Sequence, residues 1–197
     1  MLNKVICYIS KVGSETIDLP LYIKNQIDSV NNESLREQKL TAYSLLYKGA
    51  KRIFNIDLGE DKFFINEHGK PLHKKFAFSI THTKNVVAVA FSMQNVGVDI
   101  EKLSRFDKFK LPSIMGLEYH LSKQTYCLEW TKKEACFKIN GGAVFSPVKI
   151  DTSKYITKTK EIVLDGESYY LTLAKDVDFT ATYIANDNET NSEIVNL

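Results

Sequence analysis

The sequence is poor in cysteine and has no long apolar segment. Its three cysteines, Cys7, Cys127 and Cys136, are far apart and show no CxxC spacing. This pattern argues against a disulfide framework or a cysteine zinc site, and it favours free thiols in a reducing cytosol. No stretch approaches the ~20 apolar residues of a membrane-spanning helix. The first residues, MLNKVICYIS, lack the apolar run and cleavage site of a signal peptide. We therefore expect a cytoplasmic protein without a membrane partner.

Charge of one sign is not in excess either. Lys and Arg together number 26 and Asp and Glu 24, which gives a formal net charge of +2. So small an excess does not favour nucleic-acid binding, and any functional positive charge must be local. Hydrophobic residues make up 44% of the 197 residues. This composition is typical of a globular protein, and the length suits one large domain or two small lobes.

Two segments have the periodicity of long helices. Residues 34–54 carry an apolar stripe near the helical period, and Ser34 with Glu37 resembles a capping box at its start. Gly49 is a weak point within this helix. The second helix is predicted over residues 123–139, and the sequence Asn140-Gly141-Gly142 is a good signal for its end.

The remaining apolar segments are short and predict β-strands, with a hairpin over residues 86–101. Because the order of elements is similar in the two halves, we predict an α+β fold of two pseudo-symmetric lobes. Each lobe is a long helix packed on a small, mainly antiparallel sheet, and the cleft between lobes is the preferred ligand site. The lobes are assigned to residues 1–97 and 98–186, followed by a polar tail over 187–197 that frays. Strands are predicted over 5–10, 62–66, 76–80, 86–92, 96–101, 148–152, 161–164, 168–174 and 179–185.

The strand NVGVDIEKL, residues 95–103, places two like charges on one face. Asp99 and Glu101 alternate with Val98 and share their face with Gly97. One interpretation is a solvated strand end whose charge is partly neutralised by Lys102. The other is a metal site, because Mg²⁺ is typically held by one or two carboxylates together with water and substrate phosphates. The choice depends on whether the chain supplies a third carboxylate and a phosphate site.

The segment EWTKKEACFK, residues 129–138, favours the metal site. On a helix Trp130, Glu134 and Lys138 share one face, with Lys133 beside it. Taken alone, the pattern also fits a surface Glu134–Lys138 pair and a core tryptophan. Together with the carboxylate strand, it offers a third carboxylate and lysines for phosphate oxygens.

At these residues the sequence resembles the 4′-phosphopantetheinyl transferases, of the two-lobed Sfp type. The segments VGVDIE and WTKKEACFK match the family motifs G-[VI]-D-x-E and W-[ST]-x-K-E-A-x-x-K at every fixed position. Upstream, GKP (69–71) and FSITH (78–82) match the two earlier motifs, and all four occur in family order. The family usually has serine where this chain has Thr81, and threonine keeps the hydroxyl.

The resemblance implies an enzyme and its site. These enzymes move the phosphopantetheine arm of coenzyme A (CoA) to a serine of an apo acyl or peptidyl carrier protein, with Mg²⁺ or possible Mn²⁺, and release 3′,5′-ADP. The carrier belongs to a fatty-acid, polyketide or peptide synthase, and two-lobed members are usually monomers. The implied metal ligands are Asp99, Glu101 and Glu134.

The resemblance implies that Lys138 contacts the CoA pyrophosphate, that Lys70 borders the adenine, and that Thr81 and Lys133 line the same site. Lys138 or Lys133 would stabilise the departing 3′,5′-ADP, so Lys138 is also a candidate catalytic residue. His82 is expected to contact the 3′-phosphate together with basic residues of the first helix, for which Lys39 and Lys48 fit better than Arg36.

The base that takes the serine proton stays open. Glu134, a metal-bound water and Glu118 are candidates, and bases are judged first by geometry. The segment around Glu118, LEYH, resembles the family's E-Y segment only loosely, because the preceding Phe-Phe pair is missing and residues 102–129 are shortened. Whether this shortening alters the activity is open as well.

The segment from Lys102 to Met115 is a candidate docking site for the carrier protein. It carries Lys102, Arg105, Lys108 and Lys110 against a single Asp107, with phenylalanines between them. Carrier proteins of this class present an acidic helix beside the target serine, so a basic patch next to Glu101 suits them. The alternative is a solvated connecting loop.

Two other classes of function remain possible from the sequence. Three carboxylates with lysines also suit a metal-dependent phosphodiester hydrolase. A non-catalytic module that retains affinity for CoA or the carrier protein is the other alternative. The intact WTKKEACFK segment argues against the first, and the complete set of acids argues against the second.

Overall fold

The computed structural model describes residues 3–14, 16–107, 122–139, 146–186 and 193–196, with the backbone alone for residues 186 and 193–196. In chain order the described helices are α1 (Leu21–Asp28), α2 (Glu33–Phe54) and α3 (Lys123–Ile139). Short 3₁₀ helices cover Leu103–Asp107, Pro147–Lys149 and Thr152–Lys154. The strands are β1 (Lys4–Lys11), β2 (Phe64–Ile65), β3 (Pro71–Leu72), β4 (Ala77–Thr83), β5 (Val86–Ser92), β6 (Gly97–Lys102), β7 (Ile156–Leu164), β8 (Glu167–Lys175), β9 (Thr180–Asn186) and β10 (Glu193–Asn196).

The larger sheet has the order β10-β9-β1-β5-β4. Its pairs are antiparallel except for β1 and β9, which run parallel. The last strands therefore join the sheet that the first strand begins. The α+β class predicted from the sequence is confirmed.

The smaller sheet has the order β6-β8-β7, with antiparallel pairs. Strands β7 and β8 form a hairpin around Asp165 and Gly166, whose φ angles are 53° and 73°. Two consecutive positive φ values are those of a tight hairpin turn, and the Asp-Gly pair adopts them at low cost. This turn fixes the register of the two strands.

The two sheets pack face to face, with a helix on each outer side. One face of the larger sheet forms a core with α1 and α2 through residues such as Leu45, Leu46 and Phe91. Its other face packs on the smaller sheet, where Val98 and Ile100 of β6 lie in the shared core. On the far side of the smaller sheet, α3 packs on β6 and β8. The order of layers is therefore helix, sheet, sheet, helix.

Helix α2 begins one residue earlier than predicted and has a different cap. The side chain of Asn32, not Ser34, accepts the backbone N–H of Leu35 at 2.9 Å. Ser34 lies inside the helix and accepts a bond from Gln38 instead, so the predicted capping box is wrong. Asparagine and serine are equally good helix caps. Asn32 precedes Ser34, so the helix already begins at Glu33 and Asn32 is its cap.

Gly49 lets the larger sheet approach α2 closely. A Cβ at this position would lie 2.3 Å from Cζ of Phe91. The residue therefore admits an aromatic ring against the helix backbone, and this contact accounts for a glycine within the helix.

The hairpin predicted over residues 86–101 is wrong. Strand β5 has both edges occupied, by β1 and β4, so β6 has no edge of β5 to pair with. The chain instead crosses to the smaller sheet, where β6 pairs with β8. The hairpin partner of β5 is β4, through a two-residue connection between Thr83 and Val86.

Two further predictions also differ from the structure. The strand expected over residues 148–152 is replaced by two 3₁₀ helices, because Ser146 and Asp151 bond the backbone N–H groups of Val148 and Ser153. Such local bonds compete with strand pairing. Within the tail expected to fray, β10 pairs with β9. The predicted end of α3 at 140–142 lies outside the described residues.

Helix α3 lies unusually close to β6. A Cβ at residue 97 would lie only 1.8 Å from the carbonyl oxygen of Ala135. Only glycine leaves room for this backbone approach. Gly97 therefore sets the distance between the helix that carries Glu134 and the strand that carries Asp99.

Two observations complete the comparison with the sequence predictions. All three cysteines are buried and free. In the part of the chain that the structure describes, no helix combines the length and hydropathy needed to cross a membrane.

We predict that Gly97→Ala destabilises the protein. The added methyl group must push α3 away from β6, and overpacking of this kind costs about 1–3 kcal/mol. Urea denaturation measures the loss in the free energy of unfolding. Gly59→Ala is the matched control, because its Cβ would lie 3.1 Å from a movable side-chain atom of Asp57. Equal stability of the two variants would contradict the close approach.

Candidate functional site

The carboxylates of β6 are buried, not solvated. Asp99 is 5% and Glu101 6% exposed. The interpretation of a solvated strand face is therefore wrong. Val98 and Ile100 point into the core between the sheets, so alternation turns Gly97, Asp99 and Glu101 toward α3. Burying two like charges is costly unless each is compensated.

Asp99 is compensated by a lysine and a threonine from two other elements. Lys138 Nζ, at the end of α3, donates to Asp99 Oδ1 at 2.7 Å. Thr81 Oγ1, on β4, donates to the same oxygen at 2.9 Å and accepts from Lys138 Nζ at 3.1 Å. The three side chains form a closed triangle, which ties β4, β6 and α3 together at one point.

Glu101 is compensated by Arg105, one helical turn further along the chain. The guanidinium donates to Glu101 Oε1 from a half-exposed position in the 3₁₀ helix Leu103–Asp107. The pKa of Glu101 is nevertheless raised, first by burial and then by the charge of Asp99. Arg105 opposes this shift but does not cancel it.

Glu134 completes the group of acids from the helix side. It lies beside Ala135, where Gly97 brings α3 against β6. Its pKa is raised to about 7, first by burial and then by Asp99, while Lys138 opposes the shift. The carboxyl group is thus poised to gain or lose a proton near neutral pH. Asp99 and Glu101 both contribute to this shift, so Glu134 lies within electrostatic range of the two acids of β6.

A positively charged region adjoins the acids at the end of β4. The pKa of His82 is lowered by partial removal from water, then by Lys138, with a smaller effect from Lys39. Asp99 acts in the opposite direction. Helix α2 supplies Lys39, and strand alternation turns His82 toward the same side as Phe78 and Ile80, which pack near α2. Lys39 and Lys138 therefore both lie within electrostatic range of His82.

Lys70 reaches the same site from the turn between β2 and β3. The Asn66 side chain accepts the N–H groups of His68 and Lys70, at 3.0 and 2.8 Å, and so shapes this turn. Lys70 Nζ then donates to the carbonyl of Lys138 at 2.5 Å, at the end of α3. Burial lowers its pKa first, and the charge of Lys138 lowers it further.

A cavity of about 210 Å³ lies beside this contact. Its walls come from the turn around Lys70, from β4 and from the end of α3, including Phe78, Phe137 and Lys138. The lining combines aromatic rings with two lysines, a composition suited to a flat ring that carries phosphate groups.

Two of the predicted lysines lie elsewhere. Lys133 Nζ donates to the carbonyl of Val148 at 3.0 Å and to that of Ile150 at 3.5 Å, so it fixes the segment after α3. Lys48 lines a separate cavity with Ile17 and Lys51. Positions 39 and 48 are nine residues apart, which is two and a half helical turns and puts the two lysines on opposite faces of α2.

Part of the predicted site falls outside the described residues. Glu118 is one such residue, as is most of the candidate docking segment, from Lys108 to Met115. Of that segment the structure describes residues 102–107. Lys102 forms an ion pair with Glu167 at 3.0 Å, and Arg105 forms one with Glu101.

Sequence reasoning missed the residues that join the two sheets. Ser79 Oγ accepts the backbone N–H of Val98 at 3.2 Å, next to the bond from Thr81 to Asp99. Ser79 and Thr81 alternate along β4, so both point at β6. The signal was present in the spacing of FSITH, since a serine and a threonine two residues apart share one strand face.

A chain of buried threonines below Asp99 was also missed. Thr172, opposite Asp99 on β8, donates to Thr131 of α3 at 2.9 Å and bonds Thr159 of β7 at 2.8 Å. These hydroxyls satisfy one another across three elements. No sequence signal connects residues so far apart in the chain.

The donor atoms of the site suit a hard divalent cation. Asp99 Oδ2 and Glu101 Oε2 are buried and have no hydrogen-bond partner among the described residues. Mg²⁺ prefers such carboxylate oxygens. Within the described ranges no three histidine, cysteine or acidic side chains are already arranged as a metal cluster. Instead, Lys138 and Arg105 each neutralise one oxygen of an acid.

Comparison with known proteins identifies no family for this chain. A scan against models of protein families finds no match, and a search of curated proteins finds none either. The functional argument therefore depends on the motifs and on the geometry that they adopt.

Proposed function

We propose that this protein transfers the 4′-phosphopantetheine arm of CoA to a serine of an apo carrier protein and releases 3′,5′-ADP. The observation that carries the proposal is the meeting of four separated segments at one site. Residues 69–71, 78–82, 97–101 and 130–138 supply Lys70, Thr81, Asp99 and Lys138 in direct contact. The four segments that resemble the family motifs therefore meet in the fold, as a shared CoA site requires.

The layered arrangement supports the two-lobed interpretation of the fold. Helix α2 packs on the larger sheet and α3 on the smaller one, although β9 and β10 of the second half belong to the larger sheet. The site lies where β4 of one sheet meets β6 of the other. A site between two such units is the usual place for a ligand. By analogy with two-lobed members of the family, the protein acts as a monomer.

Asp99, Glu101 and Glu134 are the residues that would hold Mg²⁺ or Mn²⁺. The two unpartnered buried oxygens of β6 and the raised pKa of Glu134 support this assignment. When bound, a divalent cation neutralises the charge of the CoA pyrophosphate. Lys138 and Arg105 meanwhile keep the buried acids compensated.

Glu134 and a metal-bound water are candidates for the general base. In the transfer, the serine oxygen bonds to the β-phosphorus of CoA, and the bond to the 3′,5′-ADP oxygen breaks. The serine proton must pass to a base, and Glu134, whose pKa burial and Asp99 raise to about 7 in the metal-free protein, serves as that base only while it is not a ligand of the cation. Glu118 stays an alternative from the sequence. Lys138, whose amine contacts Thr81 and Asp99, stabilises the negative charge on the departing 3′,5′-ADP.

Lys39 and His82 are the proposed contacts of the CoA 3′-phosphate. The effect of Lys39 on the pKa of His82 shows that the two lie within electrostatic range, which supports a shared contact with one phosphate. The cavity beside Lys70 suits the adenine ring. The carrier protein is proposed to dock along Lys102 to Met115, of which Arg105 already lies on Glu101.

The proposed function is tested by intact mass spectrometry. Purified protein is incubated with CoA, Mg²⁺ and either an apo acyl carrier protein or an apo peptidyl carrier domain. We expect a gain of the phosphopantetheine mass on a carrier and an equal amount of 3′,5′-ADP. Asp99→Asn and Glu134→Gln should lose the transfer by at least about 10²-fold. Glu129→Gln, on the same helix and paired with Lys132, is the matched control and should stay active.

Three outcomes of this experiment oppose the proposal. Release of 3′,5′-ADP without a modified carrier would instead indicate a phosphodiester hydrolase. CoA binding without either product would indicate a non-catalytic module. Unchanged transfer by Asp99→Asn would remove that residue from the site.

A second prediction concerns the 3′-phosphate. Lys39→Ala should weaken CoA binding by about tenfold or more, the loss expected for a charge-assisted contact. Its effect on dephospho-CoA should be small, because that ligand lacks the phosphate. Isothermal titration calorimetry measures both affinities.

Lys48→Ala is the control for the 3′-phosphate prediction. It removes the same charge from the opposite face of the same helix, so it should change neither affinity. Equal weakening of CoA and dephospho-CoA by Lys39→Ala would show that Lys39 does not contact the 3′-phosphate.

A further inference from the structure

A second cavity lies on the larger sheet, and no residue that lines it belongs to the candidate site. It measures about 490 Å³, within the range of about 300–1,000 Å³ for small-molecule sites. Its lining comes from β1, from the last turns of α2, from the end of β5 and from β9. We call it the β9 groove. It is more than twice the volume of the cavity beside Lys70.

The groove exists because α2 leaves part of the sheet uncovered. The helix packs across β5, β1 and β4 and ends at Phe54, where Asn55 adopts a left-handed conformation. Strand β9 lies beyond β1, and its register places Thr182 beside Ile6 and Ile184 beside Tyr8. These side chains face the same side as α2 but lie past its end.

The walls of the groove are mainly apolar. Ile6, Phe54, Phe91 and Ile184 contribute to its lining. Met93 lies at the rim and is 44% exposed. An unbranched thioether side chain adapts to ligands of different shape. The apolar part therefore suits a flexible hydrocarbon chain.

The charged groups of the groove are cationic. Arg52 and Lys4 line it, and no acidic residue does so among the described residues. Neither cation forms an ion pair within the described part of the chain. Other lysines, such as Lys11 and Lys24, do have a carboxylate neighbour. Two uncompensated positive charges beside an apolar wall favour a ligand with a negative head.

Arg52 lies close to the hydroxyl of Tyr8, a residue that is 1% exposed. Burial raises the pKa of this hydroxyl, and the charge of Arg52 opposes the rise. The Tyr8 ring forms part of the groove wall. The exposed guanidinium of Arg52, with its five N–H donors, therefore lies at the boundary between the apolar wall and water.

We propose that the β9 groove binds a single-chain amphiphile with an anionic head, the head on Arg52 and Lys4 and the hydrocarbon chain along Phe91 and Ile184. A carboxylate and a phosphate monoester share the chemistry that Arg52 recognises. The site is independent of the proposed transferase activity, because it involves none of the acids or lysines that the transfer uses.

The test is calorimetric titration of the full chain with four probes of similar chain length. Decanoate and decyl phosphate carry anionic heads, decanol a neutral head and decyltrimethylammonium a cationic head. Each is used below the concentration at which it forms micelles. We expect the two anions to bind at one site and at least about tenfold more tightly than the other two probes. The stronger of the two anions then identifies the head group that the site prefers.

Matched variants locate the site. Arg52→Gln should weaken the anions by about tenfold or more, while Lys51→Gln, one residue earlier and lining a different cavity, should not. Lys4→Gln removes an exposed charge that the fold does not use, and should weaken the anions by less than about fivefold. Urea denaturation of each variant shows that it is folded.

Several results would overturn the proposal. Equal affinity for decanol and decanoate would mean that the groove has no anion site. Equal weakening by Lys51→Gln and Arg52→Gln would show that only the general surface charge matters. Absence of binding by either anion to the folded wild-type chain would exclude the site altogether.

Discussion

The close approach of α3 to β6 is the constraint on which the site depends. Because residue 97 has no Cβ, the helix backbone lies against the strand, and Glu134 comes within electrostatic range of Asp99 and Glu101. Three acids this close together repel one another, and their partial burial makes the charged forms less favourable still. The chain tolerates them because Lys138 and Arg105 each neutralise one. A structural role alone would be served better by apolar side chains, so the retained charge indicates function.

The contacts around Asp99 also join the two sheets. Ser79 of β4 accepts a hydrogen bond from the backbone N–H of Val98, and Thr81 donates one to Asp99. Lys70 donates to the carbonyl of Lys138 at the end of α3. Each of these contacts links a segment of one motif to a segment of another. The motifs are separate in the sequence and meet in a single site only through tertiary packing. This packing brings β4 and β6 together, although the two strands belong to different sheets.

How much of this the sequence predicts depends on the range of the interactions. The bounds of α3 follow from local periodicity, and the sequence predicts the strand character of 97–101 for the same reason. Helical geometry alone also puts Lys39 and Lys48 on opposite faces, although the motif resemblance led to both being expected at the 3′-phosphate. In contrast, the parallel pairing of β1 with β9 and the route of β6 to β8 depend on contacts between distant segments. Helix α1 was missed because its eight residues are few and its start has no side-chain cap.

The central claim is that Asp99, Glu101 and Glu134 act together on the pyrophosphate of CoA through a divalent cation. Calorimetric titration of CoA into the protein, with and without Mg²⁺, tests it most directly when wild type and Asp99→Asn are compared. The account predicts that Mg²⁺ tightens CoA binding to the wild-type protein and has little effect on the variant. Binding of CoA that is indifferent to Mg²⁺ in the wild type, or equally tightened in both proteins, would contradict it.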